Sequence, residues 1–464
     1  MASERINLLW DPDLIARYDL SGPRYTSYPT ALAFSEDFNG EAYERTLERS
    51  RASGAPLSLY LHIPFCAHLC YYCACNKIVT RKRDRAAPYL ERLHQEIAMR
   101  SRQFGGQERP ATQLHWGGGT PTFISHDEMR ELMSVLRQHF QLADDDSGDH
   151  SIEIDPRECG PETLEVLRSI GFNRISLGVQ DFNPTVQKAV NRIQPREMVA
   201  NRIVTARDLG FRSINMDLIY GLPHQTRETF HETLNQVLEL SPDRLSVFNY
   251  AHLPDRFMPQ QRIREEDLPS PEEKLRILED TINRLLEAGY VYIGMDHFAK
   301  PDDTLAIAQR NGELHRNFQG YTTHGECDLI GMGVSAISQA ADSYFQNHHD
   351  EGAWNLQLDF NRTPLKKGYE LSDDDRMRRA VIMELICHFS LDKQAFAAAW
   401  GEAFDQVFAD TLPARQTMVE DGLIEEDAQR LTVRTPGRLL IRAICQLFDA
   451  GAQQAQTGRY SRII

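Results

Sequence analysis

The chain has 464 residues, of which 41% are hydrophobic and 25% charged, a composition typical of globular proteins and unlike that of disordered, collagen-like or small disulfide-rich chains. Its 51 Lys and Arg residues against 67 Asp and Glu residues give a formal net charge of −16. This charge argues against broad, sequence-independent nucleic-acid binding, which needs a basic surface, but it is compatible with a local basic pocket for an acidic small molecule.

No segment has the pattern of a secretion signal or of a membrane span. The first twenty residues carry charges throughout, whereas a secretory signal contains a continuous apolar region. The longest weakly polar stretch, 329–341, is too short to cross a bilayer. We therefore expect a cytoplasmic protein, in which cysteines are not expected to form disulfides.

Residues 1–55 are polar, with helical patterns and a segment at 22–29 that contains two prolines and two tyrosines. From residue 57 onward, short apolar runs alternate with segments of helical period, which is typical of βαβ units and a parallel sheet. Six or seven successive units favour a full or partial (β/α) barrel over a doubly wound sheet, although periodicity alone does not separate the two. We expect this α/β domain to span 56–365.

The pattern changes after about residue 296. Residues 296–345 have little helical pattern and many Gly, Asn, Thr and Asp residues, and a loop-rich stretch of this length is usually functional. Residues 366–464 combine helical patterns with a hairpin pattern at 422–433, which predicts a mostly helical, winged-helix-like accessory domain. This part has 13 Lys and Arg against 15 Asp and Glu residues, so a DNA-binding role is not favoured.

Four of the eight cysteines lie within ten residues, directly after the first predicted strand: Cys66, Cys70, Cys73 and Cys75. Close thiolates on one loop favour a soft metal. A structural zinc site usually has two separated pairs of ligands, and no second pair occurs here, so an iron–sulfur centre fits better. Three thiolate ligands would leave one iron of a four-iron cluster open. The four single cysteines are interpreted as small buried hydrophobic residues.

Further candidate residues lie near the ends of predicted strands. The glycines at 117–119 would let a ligand approach the backbone closely, or would simply form a flexible turn. Glu153 and Asp155 are two apart on a strand and share one face; they indicate either a ligand site or a solvated pair. Asp217, late in another strand, allows the same two interpretations.

The C-x3-C-x2-C spacing after the first strand of a βα-repeat chain resembles that of the radical S-adenosylmethionine superfamily. Motifs from Tyr25 to about Ile337, including YLHIPFC at 60–66, HWGGGTPT at 115–122 and NFQGYTT at 317–323, narrow the resemblance to the oxygen-independent coproporphyrinogen III oxidases. Related haem chaperones and methylases usually have an aromatic residue where Cys75 stands. A haem-binding chaperone on the same scaffold is the alternative function.

The resemblance implies that Cys66, Cys70 and Cys73 hold a [4Fe-4S] cluster, and that Tyr60 and Cys75 also belong to the catalytic site. It further implies binding of S-adenosylmethionine, with two molecules expected. The residues implied for this binding are Tyr60, Tyr72, Gly118, Gly119, Thr120, Glu153, Gln180, Arg192, Asp217, Ala251, Phe318, Gln319 and Ile337.

The implied reaction is the anaerobic conversion of coproporphyrinogen III to protoporphyrinogen IX in porphyrin biosynthesis. A 5′-deoxyadenosyl radical takes a hydrogen from the β-carbon of a propionate, and loss of CO2 and one electron leaves a vinyl group; two propionates react. Residues 1–55 are expected to form a lid that shields the radical. Arg24 and Arg192 are candidates for binding propionates. We expect a monomer, an electron donor such as flavodoxin or ferredoxin, and no nucleic-acid partner.

Overall fold

The structure is a computed structural model that describes residues 11–18 and 22–451. The strands of the described residues, β1 to β20 in chain order, are Leu57–Ile63, Phe65–Cys66, Ile78–Val79, Pro110–Gly118, Gln141–Leu142, Asp149–Ile154, Arg174–Gln180, Ser213–Tyr220, Arg244–Asn249, Val291–Gly294, His297–Ala299, His315–Asn317, Gly320–Thr322, Asp328–Met332, Ile337–Ala340, Ser343–Asn347, Leu365–Glu370, Ser390–Asp392, Ile424–Glu426 and Arg430–Val433. The helices of the same residues, α1 to α17, are Pro12–Tyr18, Gly40–Ser53, Ala86–Phe104, His126–His139, Pro161–Ser169, Pro184–Ala189, Arg196–Asp208, Arg227–Leu240, Pro271–Glu287, Thr304–Asn311, Glu351–Asp359, Asp373–His388, Lys393–Trp400, Phe404–Val407, Leu412–Glu420, Thr435–Leu439 and Ile441–Gln446.

The chain divides into two compact units. The sheet unit comprises Phe34–Lys274 and Glu326–Glu370, and the helical unit comprises Met1–Ala33, Leu275–Gly325 and Leu371–Ile464. The division into segments 1–55, 56–365 and 366–464 stays a prediction. No helix within 11–18 and 22–451 is long and apolar enough to cross a membrane.

The strands of the sheet unit pair in the order β9-β8-β7-β6-β4-β1-β14-β15-β16-β17. The pairings from β9 through to β14 are parallel, and those from β14 to β17 are antiparallel. Helices connect the successive parallel strands. The predicted α/β class with parallel βα repeats is confirmed, and the carboxyl ends of β1, β4, β6, β7 and β8 meet at one edge.

Local sequence explains these elements. Every residue of β1 except Tyr60 is buried, as expected for a strand covered on both faces. α4 begins at a capping box in which Ser125 accepts a hydrogen bond from the Glu128 amide and Glu128 caps the Ser125 amide, which satisfies two amides of the first turn. α2 ends at Gly54, whose φ of 62° suits glycine.

The helical unit combines helices with small antiparallel sheets. β18, β20 and β19 form a three-stranded sheet, in agreement with the predicted hairpin beside helices. The segment that contains Tyr25 is anchored within this unit, because the Tyr25 hydroxyl donates to Asp449 at 3.0 Å and Arg442 donates to the Pro23 carbonyl at 2.9 Å. Its predicted role as a lid stays a prediction.

The expectation that 296–345 is loop-rich is wrong. This stretch contains α10 and five strands, β11 to β15. The strands have only three to five residues, too few for a periodic pattern to stand out, and they are separated by turns at glycines with positive φ such as Gly320 and Gly333. Composition alone therefore suggested a loop where the chain forms short hairpins.

Candidate active site

The cysteine loop is closed at its base by backbone hydrogen bonds. β2, which contains Cys66, pairs in parallel with β3, and the Thr80 amide donates to the Cys66 carbonyl at 2.9 Å. The segment after β4 supports the same loop, because the amides of Gly119 and Thr120 donate to the carbonyls of Ile63 and Phe65 at 2.9 and 2.7 Å. The four clustered cysteines are thus presented at the carboxyl end of β1.

The glycine run after β4 is required by close packing. Gly118 has a φ of 112°, and a Cβ there would lie 2.6 Å from the His62 ring. A Cβ on Gly119 would lie 2.6 Å from the backbone carbonyl of Pro64. Side chains at these positions would displace the cysteine loop, so the run does more than form a flexible turn.

Hydrogen-bond donors surround two of the three sulfurs assigned to the cluster. The Cys70 sulfur receives hydrogen bonds from Arg157 and Arg192, each at 3.4 Å. The Cys66 sulfur receives one from the Thr120 hydroxyl at 3.6 Å. Such donors stabilise negative charge on sulfur.

The thiols themselves differ in acidity. Burial raises the pKa of the Cys66 thiol to about 12. A hydrogen bond with Cys75 and the nearby Lys77 ammonium lower the pKa of the Cys73 thiol to about 6 despite burial. Cys75 is exposed, and its pKa is raised, chiefly by its hydrogen bond and charge interaction with Cys73. Cys73 is therefore the more acidic partner of this C-x-C pair.

The chemistry of the donor set suits an iron–sulfur cluster. The loop presents the thiols of Cys66, Cys70 and Cys73 close together in sequence, whereas a structural zinc site usually takes two separated pairs of ligands. The thiolates of a four-iron cluster bind different iron atoms. Hydrogen bonds to the sulfurs of Cys66 and Cys70 stabilise the thiolate charge that such a cluster needs.

Asp155 joins the two arginines that face Cys70. Arg157 and Arg192 donate to its carboxylate at 2.6 and 3.1 Å, and all three side chains are at most 11% exposed. Burial would raise the pKa of Asp155, but the positive charges of Arg192 and Arg157 lower it to about 2. Two arginines against one carboxylate leave an excess of positive charge beside Cys70.

Glu153 lies in a hydrogen-bonded network across β1, β4 and β6. Its carboxylate accepts from the Gly118 amide at 3.1 Å and lies 3.4 Å from His115 Nε2. Partial burial raises the pKa of Glu153, but the interactions with His115 and the Gly118 amide outweigh it and lower the pKa. Tyr60 stacks on His115 with ring centroids 5.9 Å apart and hydrogen-bonds His62 at 3.1 Å. An ionised carboxylate is thus held beside the glycine run with 45% of its side chain exposed.

A second group of predicted residues lies on β7 and β8. The Asp217 carboxylate accepts from Ser176 and Asn215, each at 2.9 Å, and burial raises its pKa. Gln180 has a φ of 67°, and its buried Oε1 has no hydrogen-bond partner among the residues that the structure describes. The Nε of Arg192 is likewise buried without a partner. These two unpartnered atoms indicate a place for a polar ligand.

The remaining predicted residues are distributed between the units. Tyr72 packs against an apolar cluster that contains Tyr250, the residue before Ala251. A Cβ on Gly331, the parallel partner of Tyr60, would lie 2.5 Å from the Ile337 carbonyl. Ile337 therefore lies on β15, with β14 between it and Tyr60 on β1, and its role as a ligand stays a prediction.

Phe318 and Gln319, in contrast, belong to the helical unit. They form the two-residue turn of the β12–β13 hairpin. In the same unit Arg24 forms an ion pair with Asp296. Their predicted roles in binding S-adenosylmethionine and propionates stay predictions.

Comparisons with known proteins place this site in a family. Residues 60–237 match the Radical SAM superfamily, and residues 371–440 match the HemN C-terminal domain. The chain is 56% identical to the oxygen-independent coproporphyrinogen III oxidase of Pseudomonas aeruginosa, over 98% of this chain and 99% of that protein. The enzyme of the same name from Escherichia coli K12 is 52% identical over 98% of each chain.

The chain belongs to the oxygen-independent coproporphyrinogen III oxidase family. A solved structure described as coproporphyrinogen III oxidase (HemN) from Escherichia coli, a radical SAM enzyme, superposes on it with a TM-score of 0.91 at 50% identity, covering 96% of this chain and 99% of that one. The predicted family, fold class and enzyme class are confirmed. The haem-chaperone alternative is not supported.

In this coproporphyrinogen oxidase, two residues that are not among the predicted site residues also organise the site. Arg157 contacts both Cys70 and Asp155, and His115 contacts Glu153. Arg157 follows Asp155 by two residues at the end of β6, and this spacing could have suggested an ion pair. No signal in the sequence indicated that the pair would reach the cysteine loop.

Proposed function

We propose that this oxidase converts coproporphyrinogen III to protoporphyrinogen IX without O2, by oxidative decarboxylation of two propionates to vinyl groups. The observation that carries the proposal is the 56% identity to a coproporphyrinogen III oxidase over almost the whole of both chains. The loop with four cysteines at the carboxyl end of β1 adds support, because it supplies thiolates where parallel-sheet proteins place their sites.

The direct test is an anaerobic assay with coproporphyrinogen III, S-adenosylmethionine and a reductant, using protein reconstituted with iron and sulfide. We expect protoporphyrinogen IX, with 5′-deoxyadenosine formed alongside it. A protein that bound haem tightly but gave neither product would contradict the proposal and favour the chaperone function instead.

In the proposed site, Cys66, Cys70 and Cys73 would hold a [4Fe-4S] cluster, which would supply the electron for reductive cleavage of S-adenosylmethionine. The chain's own residues position these groups. The amides of Gly119 and Thr120 fix the loop, and the arginines beside Cys70 stabilise negative charge on its sulfur.

Glu153 is proposed to bind the amino or ribose group of one S-adenosylmethionine. Its lowered pKa keeps it ionised at neutral pH, so it can accept charge-assisted hydrogen bonds. Glu153→Gln is expected to raise the Kd for S-adenosylmethionine about tenfold to hundredfold, since a hydrogen bond to a charged group contributes about 1.5–3 kcal/mol. Isothermal titration calorimetry on cluster-loaded protein measures this.

The control for this prediction is Glu165→Gln, which removes an exposed carboxylate on α5. Glutamine keeps the size and an acceptor oxygen of Glu153, so the Gly118 hydrogen bond can persist. An unchanged Kd in Glu153→Gln, with the cluster content of the unaltered protein, would show that Glu153 does not contact the ligand.

A second S-adenosylmethionine is proposed at Gln180, Arg192, Asp217 and Ala251. The support is chemical: Gln180 Oε1 and Arg192 Nε are buried polar atoms without partners in the described part of the chain, and such atoms are usually satisfied by a ligand or water. Asp217 adds a carboxylate whose pKa is raised by burial. Equilibrium binding should then give two molecules per chain.

Arg157 is proposed to set the reduction potential of the cluster. It donates to the Cys70 sulfur at 3.4 Å, and a cationic donor favours the reduced, more negative state. Arg157→Gln is expected to lower the midpoint potential by roughly 30–60 mV, where about 59 mV corresponds to a tenfold change for one electron. A redox titration followed by EPR measures it.

Arg157→Lys should recover part of this shift, because lysine keeps the charge but loses the planar pair of donors. Arg130→Gln on the exposed face of α4 is the control, since the one ion pair of Arg130 within the described residues is with Asp127, one turn earlier on the same helix. A midpoint potential unchanged in Arg157→Gln would contradict this role.

We propose that the enzyme is a cytoplasmic monomer. It would receive electrons from a carrier protein such as flavodoxin or ferredoxin. Arg24 and Arg192 are proposed to face substrate propionates. Substrate-dependent protection of these arginines from chemical modification would support that role.

A further inference from the structure

The surface that follows β3 carries a concentration of positive charge. Residues 81–85 read Arg-Lys-Arg-Asp-Arg, and all five are exposed, in a chain whose net charge is −16. We call Arg81, Lys82, Arg83 and Arg85 the basic strip. Asp84 is the only acid within the run.

Two members of the basic strip form ion pairs with other parts of the chain, and for the other two the described residues show none. Arg83 pairs with Glu158 and lies over the Phe123 ring at 4.4 Å, and Arg85 pairs with Glu351 at 2.6 Å. Arg81 and Lys82 have no side-chain hydrogen bond or ion pair within the described residues. Surface cations of this kind add little to stability, so their concentration here calls for another explanation.

The basic strip begins one residue beyond the backbone that holds Cys66. The Thr80 amide donates to the Cys66 carbonyl at 2.9 Å, and Val79 is the strand partner of Cys66, about 4.8 Å away across the pair. Val79 is 44% exposed. The exposed apolar side chain of Val79 therefore lies on the strand next to the proposed cluster ligand Cys66. The cations of the basic strip follow Val79 closely in sequence.

We propose that Val79 and the basic strip form the docking surface for an acidic one-electron carrier protein. This inference rests on the proposed function. In each encounter the carrier loses one electron, the oxidised cluster gains it, and no bond or proton is transferred. Transient electron-transfer complexes have small interfaces, and complementary charge raises their association rate strongly at low ionic strength. A local cationic surface overcomes the repulsion that a net charge of −16 would impose on an acidic partner.

The test compares two double charge reversals. Arg81→Glu with Lys82→Glu alters the basic strip. Arg51→Glu with Arg102→Glu makes the same change in charge on exposed residues near the carboxyl ends of α2 and α3, at the opposite edge of the sheet. The carrier is a reduced flavodoxin of acidic composition. Its Kd for each oxidised holoenzyme and the stopped-flow rate of cluster reduction are measured at low and high salt.

We expect the basic-strip variant to raise the flavodoxin Kd and to slow cluster reduction about tenfold or more at low salt, and the Arg51 and Arg102 variant to change both by less than about twofold. High salt should weaken binding to the unaltered enzyme and remove most of the difference. Reduction by dithionite, which needs no docking surface, should stay equal in all three proteins.

Equal flavodoxin Kd and rate in the unaltered enzyme and the basic-strip variant would overturn the proposal. So would equal losses in both variants, since the effect would then come from net charge rather than position. Failure of the dithionite-reduced enzyme to convert coproporphyrinogen III would contradict the proposed function. The flavodoxin Kd values would still show whether the basic strip binds the carrier, because they do not depend on turnover.

Discussion

Cys70→Ser is expected to eliminate the four-iron cluster and all formation of 5′-deoxyadenosine. Its sulfur is the one to which both Arg157 and Arg192 donate at 3.4 Å, and serine is a poor ligand for iron in such a cluster because the soft thiolate is lost. Iron and sulfide analysis after anaerobic reconstitution, with EPR of the reduced protein, measures the loss. The same result is expected for Cys66→Ser and Cys73→Ser.

Cys327→Ser is the control, since Cys327, partly exposed like Cys66 and Cys73, contacts Thr112, far from the loop in sequence. It should keep a full cluster. Cys75→Ser tests whether the fourth cysteine of the loop is also a ligand. We expect this variant to retain the cluster, because the thiolates of Cys66, Cys70 and Cys73 suffice. A full four-iron signal in Cys70→Ser would refute the ligand assignment.

Gly119→Ala is expected to cause the second largest loss. Its new methyl group would lie 2.6 Å from the Pro64 carbonyl and 2.7 Å from the Phe65 carbonyl oxygen, and backbone atoms of a paired segment cannot rotate away as a side chain can. Overpacking of this kind costs about 1–3 kcal/mol. It would also disturb the hydrogen bond of the Thr120 amide to Phe65. We expect a lower Tm, reduced iron content and weaker binding of S-adenosylmethionine.

Gly40→Ala provides the comparison. Gly40 is the exposed first residue of α2, and among the described residues nothing lies within 4 Å of its added methyl group. Its Tm and iron content should match those of the unaltered protein. If Gly119→Ala behaved in the same way, the close packing of this segment on the cysteine loop would not matter for the site.

The parallel βα repeats and the cysteine loop could be predicted because their signals are local. β1 has leucine or isoleucine at every second position, and the four cysteines follow it within a few residues. The placement of the loop beyond the carboxyl end of β1 then follows from strand topology alone. The C-terminal hairpin was also predictable, since a turn at Asp427 separates two short strands of suitable pattern.

The ion-pair network around Cys70 could not be predicted, because its members come from separate parts of the chain. Asp155 and Arg157 follow β6, whereas Arg192 follows α6, and only the folded arrangement brings them to one sulfur. The glycine run shows a related difficulty. Its sequence allowed a ligand site or a flexible turn, and the deciding fact was the distance from Gly119 to the Pro64 backbone, which depends on strand register.

The central claim is that three cysteines of this chain bind a four-iron cluster and leave one iron free for S-adenosylmethionine. Mössbauer spectroscopy of anaerobically reconstituted, ⁵⁷Fe-enriched protein, recorded with and without S-adenosylmethionine, measures this directly. We predict one iron site of the four whose isomer shift changes on addition, while the other three stay the same. Four equivalent iron sites that do not respond to S-adenosylmethionine, or a protein that takes up zinc instead of iron at this loop, would contradict the account.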